Sequence, residues 1–179
     1  MLMQAERVIN RFSDILGKIS SILFLLMLVN VFFNVVARYA FNAVWIGSQE
    51  MEWHLFATMF MLGVPYTLRA GGHVRVDLIY ERLSVGKQSI IDILGGLVLL
   101  LPFTLLVGYY GIGFAYEAFE LGETSGDPGG LPYRWIIKAV IPFAFFATAI
   151  AGLGLIITSI LNIKHPERTE PHNNHESSL

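Results

Sequence analysis

"RAGGHVRVDLIYERLS", residues 69–84, decides how this chain is read, because it interrupts two long apolar runs with charge. Arg69, Arg75 and Arg82, with Lys87 just beyond, stand beside His73, Asp77 and Glu81. A hydrocarbon layer excludes such a cluster, so the segment is a connector and its flanks are separate spans. The composition agrees. Of the 179 residues 54% are hydrophobic and 15% charged, against about a quarter charged in a typical soluble domain.

Working outward, four apolar runs predict four transmembrane helices, at about 15–37, 53–68, 90–115 and 136–163. Crossing about 30 Å of hydrocarbon takes about 20 helical residues. The second run is the weakest and reaches that length only if Glu50 and Glu52 lie in the headgroup layer or pair. Period-2 alternation is missing, which disfavours a barrel. The first run is long for a signal peptide and is expected to stay as an anchor. The chain is therefore an all-α membrane protein, with residues 1–164 as a four-helix transmembrane domain.

Lys and Arg counting orients it. Arg7, Arg11 and Lys18, the 69–87 connector, and Lys164 with Arg168 fall on one side. The opposite connector holds Glu117, Glu120, Glu123 and Asp127, with Arg134 and Lys138 only at its end. Both termini are predicted to be cytoplasmic. Ala5, Val8, Ile9 and Phe12 form a helical stripe that predicts a short N-terminal interfacial helix over 1–14. Residues 165–179, polar throughout, are expected to be a disordered cytoplasmic tail.

Polar side chains inside spans need partners. Asn30, Asn34 and Arg38 share one helical face, as do Glu50, His54 and Thr58. These stripes predict interhelical contacts, with Arg38 within reach of Glu50 or Glu52, or a polar contact to another membrane subunit. Gly108, Gly111 and Ala115 in the third run, and Ala144, Thr148 and Gly152 in the fourth, predict close-packing faces toward a partner inside or outside the chain.

The same inventory excludes several chemistries. With no cysteine there are no disulfides or thiolate sites. Net charge −2 offers no basic surplus for nucleic acid. His54 and His73 lie about 28 Å apart along a helix and cannot share a haem or metal ion. No serine–histidine, paired-aspartate or zinc-protease pattern appears. No internal repeat marks an autonomous carrier. The expectation is a chain with no cofactor, metal or catalytic residue.

In this setting the connector's Arg69, Gly72, His73, Arg75, Asp77 and Leu78, with Arg38–Tyr39 ending the first run and Glu50 opening the second, resemble a known family. The chain is similar, over roughly 15–162, to the small membrane subunit (DctQ-type) of tripartite ATP-independent periplasmic, or TRAP, transporters. The resemblance implies a bacterial inner-membrane scaffold for a separate large multi-span subunit. It implies sodium-coupled uptake of an organic acid (a dicarboxylate, sialic acid or another sugar acid) delivered by a periplasmic substrate-binding protein. Membrane lipid is the remaining partner. Alternatives are an autonomous pore or carrier and a scaffold of another membrane complex. Asp77 is expected either to pair with Arg75 or to clamp the large subunit.

Overall fold

A computed structural model of the chain describes residues 1–72, 80 and 82–165. The described residues are helical apart from turns and connectors: α1 (Leu2–Phe41), α2 (Ile46–Arg69), α3 (Val85–Glu120) and α4 (Trp135–Lys164). Three of these, α1, α3 and α4, are long and apolar enough to cross a membrane. The 24 residues of α2 reach about 36 Å, but its first turns carry Glu50, Glu52 and His54 and lower its apolar character.

α1 corrects one expectation. No separate short helix covers 1–14; a single helix of 40 residues runs from Leu2 to Phe41. Nothing between Phe12 and Gly17 stops it, since no proline or left-handed residue intervenes. Its first turns also have somewhere to pack. Glu6 and Ser13 are buried, Ile9 seats against Gly154 of α4, and Thr158 Oγ1 donates to Glu6 Oε1 at 2.9 Å. The predicted stripe is only partly a packing face, because Val8 is exposed.

α1 and α2 form one antiparallel hairpin and α3 and α4 a second. In the first, Ser20 Oγ donates to Met59 O at 2.7 Å, and Gly17 lets the Tyr66 ring lie against the α1 backbone. In the second, Gly108 faces the Phe146 ring and Gly111 faces Pro142. The small residues of α3 and α4 therefore serve packing within the chain: Gly108, Gly111, Ala144, Thr148 and Gly152 are all buried. Leu16, Leu62, Ala144 and Ala147 join the hairpins in a core beside Phe12, Leu23 and Met61.

Helix ends follow the sequence closely. After α2, Gly71 takes φ 68°, its N–H reaches Leu68 O, and the Gly72 N–H reaches Thr67 O at 3.0 Å. This is a Schellman closure, which caps the last carbonyls and suits glycine. The end of α3 repeats it with Gly122 at φ 57°, Gly122 N–H on Phe119 O and Glu123 N–H on Ala118 O. Inside α3, residues Gly96–Leu100 form a π turn just before Pro102. Proline has no N–H and its ring crowds the carbonyl four residues back; a wider turn accommodates both.

Both chain-terminal helix ends, Leu2 of α1 and Lys164 of α4, lie at the same end of the bundle as residues 69–72, as the Glu6–Thr158 and Asp14–Arg69 contacts require. The opposite end carries residues 42–45 and 121–134.

Candidate functional site

The polar side chains expected inside the spans separate into three groups. Asn30 and Asn34 look across to the start of α2, where both amides donate to Ser48 O, at 2.9 and 3.3 Å, and Ser48 Oγ returns a bond to Asn30 Oδ1 at 2.9 Å. This is interhelical glue of the kind that apolar surroundings strengthen. His54 and Thr58 do not act that way. Thr58 Oγ1 bonds His54 O at 2.8 Å, and His54 Nδ1 meets Glu50 O at 2.7 Å, both within α2.

Glu50 forms the second group. It does not meet Arg38. Its carboxylate turns toward the 121–134 connector, accepting from Ser125 Oγ and from the Leu131 N–H at 2.6 Å. The connector has its own closures. Arg134 N–H donates to Glu123 O at 3.0 Å and Ser125 N–H to Leu131 O at 3.1 Å. Lys138 pairs with Glu123. Tyr133 is held at φ 60°, a conformation that costs a non-glycine residue about 1 kcal/mol. Gly130 passes so near Ser125 and Glu50 that a Cβ there would strike both. The acidic connector is thus a folded cap fastened to α2, with the Arg134 guanidinium 5.5 Å from the centre of the Trp53 ring.

Arg38 and Glu52 form the third group. Both line an open groove of about 680 Å³ between the ends of α1 and α2, with Asn34, Gln49 and Trp53 nearby and Val31, Val35 and Phe56 deeper. Among the described residues neither makes an ion pair. The expected Arg38–Glu50 or Arg38–Glu52 contact is replaced by two separate arrangements, because the connector takes up Glu50.

At the other end, Arg69 pairs with Asp14 of α1. Sequence reasoning missed Asp14, although the hairpin register was the available signal: the start of one antiparallel helix opposes the end of the next. The pair is about one-third exposed on each side, so it contributes at most about 1 kcal/mol. Asp14→Arg should lower the thermal midpoint in detergent slightly, and adding Arg69→Asp should restore it; an additive second loss would show that the two do not interact. Gly72 serves the Schellman closure. His73, Arg75 and Asp77 lie outside the described residues, as does the tail beyond His165. Among the described residues no group of three or more His, Asp or Glu side chains gathers to hold a metal ion.

Comparison with known proteins gives this arrangement its context. Residues 27–162 match the family described as tripartite ATP-independent periplasmic transporters, DctQ component. The chain is 27% identical over 143 residues to the ectoine TRAP transporter small permease protein of Halomonas elongata, covering 78% of this chain and 69% of that one. It is 28% identical over 140 residues to a Haemophilus influenzae chain named as a TRAP transporter small permease protein, covering 76% and 80%. With the C4-dicarboxylate TRAP transporter small permease protein of Rhodobacter capsulatus it shares 34% over 102 residues, 56% of this chain and 42% of that one. No solved structure matches. Matched over most of its length, and built of membrane-crossing helices packed on small residues, the chain belongs to the DctQ-component family and is a small permease subunit of a TRAP transporter in the bacterial inner membrane.

Proposed function

We propose that this subunit crosses the membrane four times with both termini cytoplasmic, α2 being the fourth span. In this reading it forms part of the fixed scaffold beside a large multi-span subunit that carries substrate and sodium sites. The cap over residues 121–134 then faces the periplasm, where its acidic side chains can meet a substrate-binding protein. The transported compound is an organic acid: a dicarboxylate, sialic acid or another sugar acid.

The observation that best supports a scaffold is how the polar groups are used. Asn30, Asn34 and Ser48 satisfy one another, and Glu50 is committed to the cap. A water-lined pore would need such a stripe to be open. Meanwhile one long face of α1, with Leu25, Leu26, Val29, Phe32 and Phe33, stays exposed, an apolar surface available to lipid or to another membrane chain. Relatives of comparable identity are named for ectoine and for C4-dicarboxylate, which argues that substrate choice resides in other chains. The Asp77 clamp on the large subunit belongs to the same reading.

The test is affinity purification of the full-length chain from native membranes in mild detergent, with identification of what remains bound. A stoichiometric many-span membrane protein is expected, and Asp77→Ala should reduce its yield without affecting membrane insertion. A self-associated chain that transports alone in liposomes would replace the scaffold with an autonomous carrier.

A further inference from the structure

The groove between α1 and α2 has a composition that the scaffold reading does not use. At its mouth stand two opposite charges, Arg38 and Glu52, which line the same 680 Å³ space without pairing. Below them the walls become apolar, with Val31, Val35 and Phe56. Two unlike charges left apart over one groove are costly near hydrocarbon unless something bridges them. A single ligand that carries a negative and a positive group a few ångströms apart, with a long apolar body, meets every part of this description.

We propose that the groove is a binding site for one phospholipid with a zwitterionic primary-amine headgroup, of the phosphatidylethanolamine class. The Arg38 guanidinium takes the phosphate, for which its planar fork of N–H donors is suited. The Glu52 carboxylate accepts from the ammonium, and an acyl chain lies along Val31, Val35 and Phe56. A choline headgroup fits less well. Its quaternary nitrogen has no N–H to donate to Glu52. A purely anionic headgroup would leave Glu52 facing like charge. The position suits a lipid headgroup, since Tyr39, Phe41, Trp45 and Trp53, all exposed, surround this end of the hairpin and aromatic residues concentrate at the membrane interface. The inference depends on membrane location alone and not on the proposed partners or substrate.

The experiment is native mass spectrometry of the full-length chain in detergent, titrated with dioleoyl phosphatidylethanolamine, phosphatidylcholine and phosphatidylglycerol. One phosphatidylethanolamine should bind in preference to the other two. Arg38→Gln and Glu52→Gln should each weaken it about tenfold, the loss of one charge-assisted hydrogen bond. Neither side chain holds a helix contact among the described residues, so the helical circular dichroism should be unchanged. Equal binding of the three lipids, or unchanged affinity in both variants, overturns the proposal. So does Arg38→Gln weakening phosphatidylglycerol alone, which would indicate a simple anion site. Because the chain has no cysteine, Val35→Cys gives a single attachment point for a photocrosslinker in native membranes. An adduct with the mass of a phospholipid is expected; an adduct to a membrane protein would mean that a partner helix fills the groove instead.

Discussion

Valine at position 17 should force α1 and α2 apart. A Cβ on Gly17 would sit 2.6 Å from the Tyr66 ring and 3.0 Å from the Tyr66 Cβ. The second contact matters more than the first. A ring can swing aside, whereas Cβ moves only with its helix, and a close-packed interface has no slack to absorb it. Overpacking of this kind costs about 1–3 kcal/mol. Gly17→Val should therefore lower the thermal midpoint in detergent by several degrees, read by circular dichroism. Tyr66→Ala removes the ring and should recover part of that loss in the double variant. If Gly17→Val alone unfolds with the wild-type midpoint, the helices do not pack as described.

Removing the Glu50 carboxylate should release the cap over residues 121–134. Glu50→Ala deprives the Ser125 hydroxyl and the Leu131 N–H of their shared acceptor at once. No other part of α2 provides an acceptor there. Cleavage of the connector by a protease in limited digestion is expected to accelerate about tenfold, as the population of open cap rises. Helix content should be unchanged, because the Glu50 carboxylate bonds the connector and not its own helix. Glu50→Gln keeps an acceptor oxygen and should fall between the two. Equal cleavage of wild type and Glu50→Ala would show that the Lys138–Glu123 pair and the backbone closures hold the cap without Glu50. Loss of the cap is also expected to reduce any binding of a soluble partner to this end of the molecule.

These two sites differ in how visible they were beforehand. The apolar runs gave the helices because each is a continuous stretch of chain, and the end of α2 at Gly71 and Gly72 is equally local, since a Schellman closure joins residues within one turn. The small-residue faces of α3 and α4 were legible as packing surfaces, while which partner they met was not; that depends on the pairing of two distant segments. Glu50 was singled out as a polar residue needing a partner, and Arg38 was the obvious one across a short connector. The actual donors lie 75 and 81 residues further on, at the Ser125 hydroxyl and the Leu131 N–H. Their placement depends on a loop shape set by Tyr133, Gly129 and Gly130, which no spacing rule encodes. The continuity of α1 through residues 12–17 was missed for a related reason: a change from amphipathic to fully apolar pattern marks a change of surroundings, and a helix can pass through it unbroken.

The π turn in α3 has a bearing on register. One line of buried positions on this helix runs through Ser89, Gly96, Thr104, Gly111 and Ala118, with buried Gly108 beside it between Thr104 and Gly111. Successive steps are seven residues, except the step from Gly96 to Thr104, which is eight. In an unbroken α-helix that extra residue would turn the downstream half away from α4 by about 100°. The wide turn at Gly96–Leu100 absorbs it. It acts as a skip residue: one helix keeps a single seam along its whole length by carrying one residue that counts in the sequence and not in the rotation.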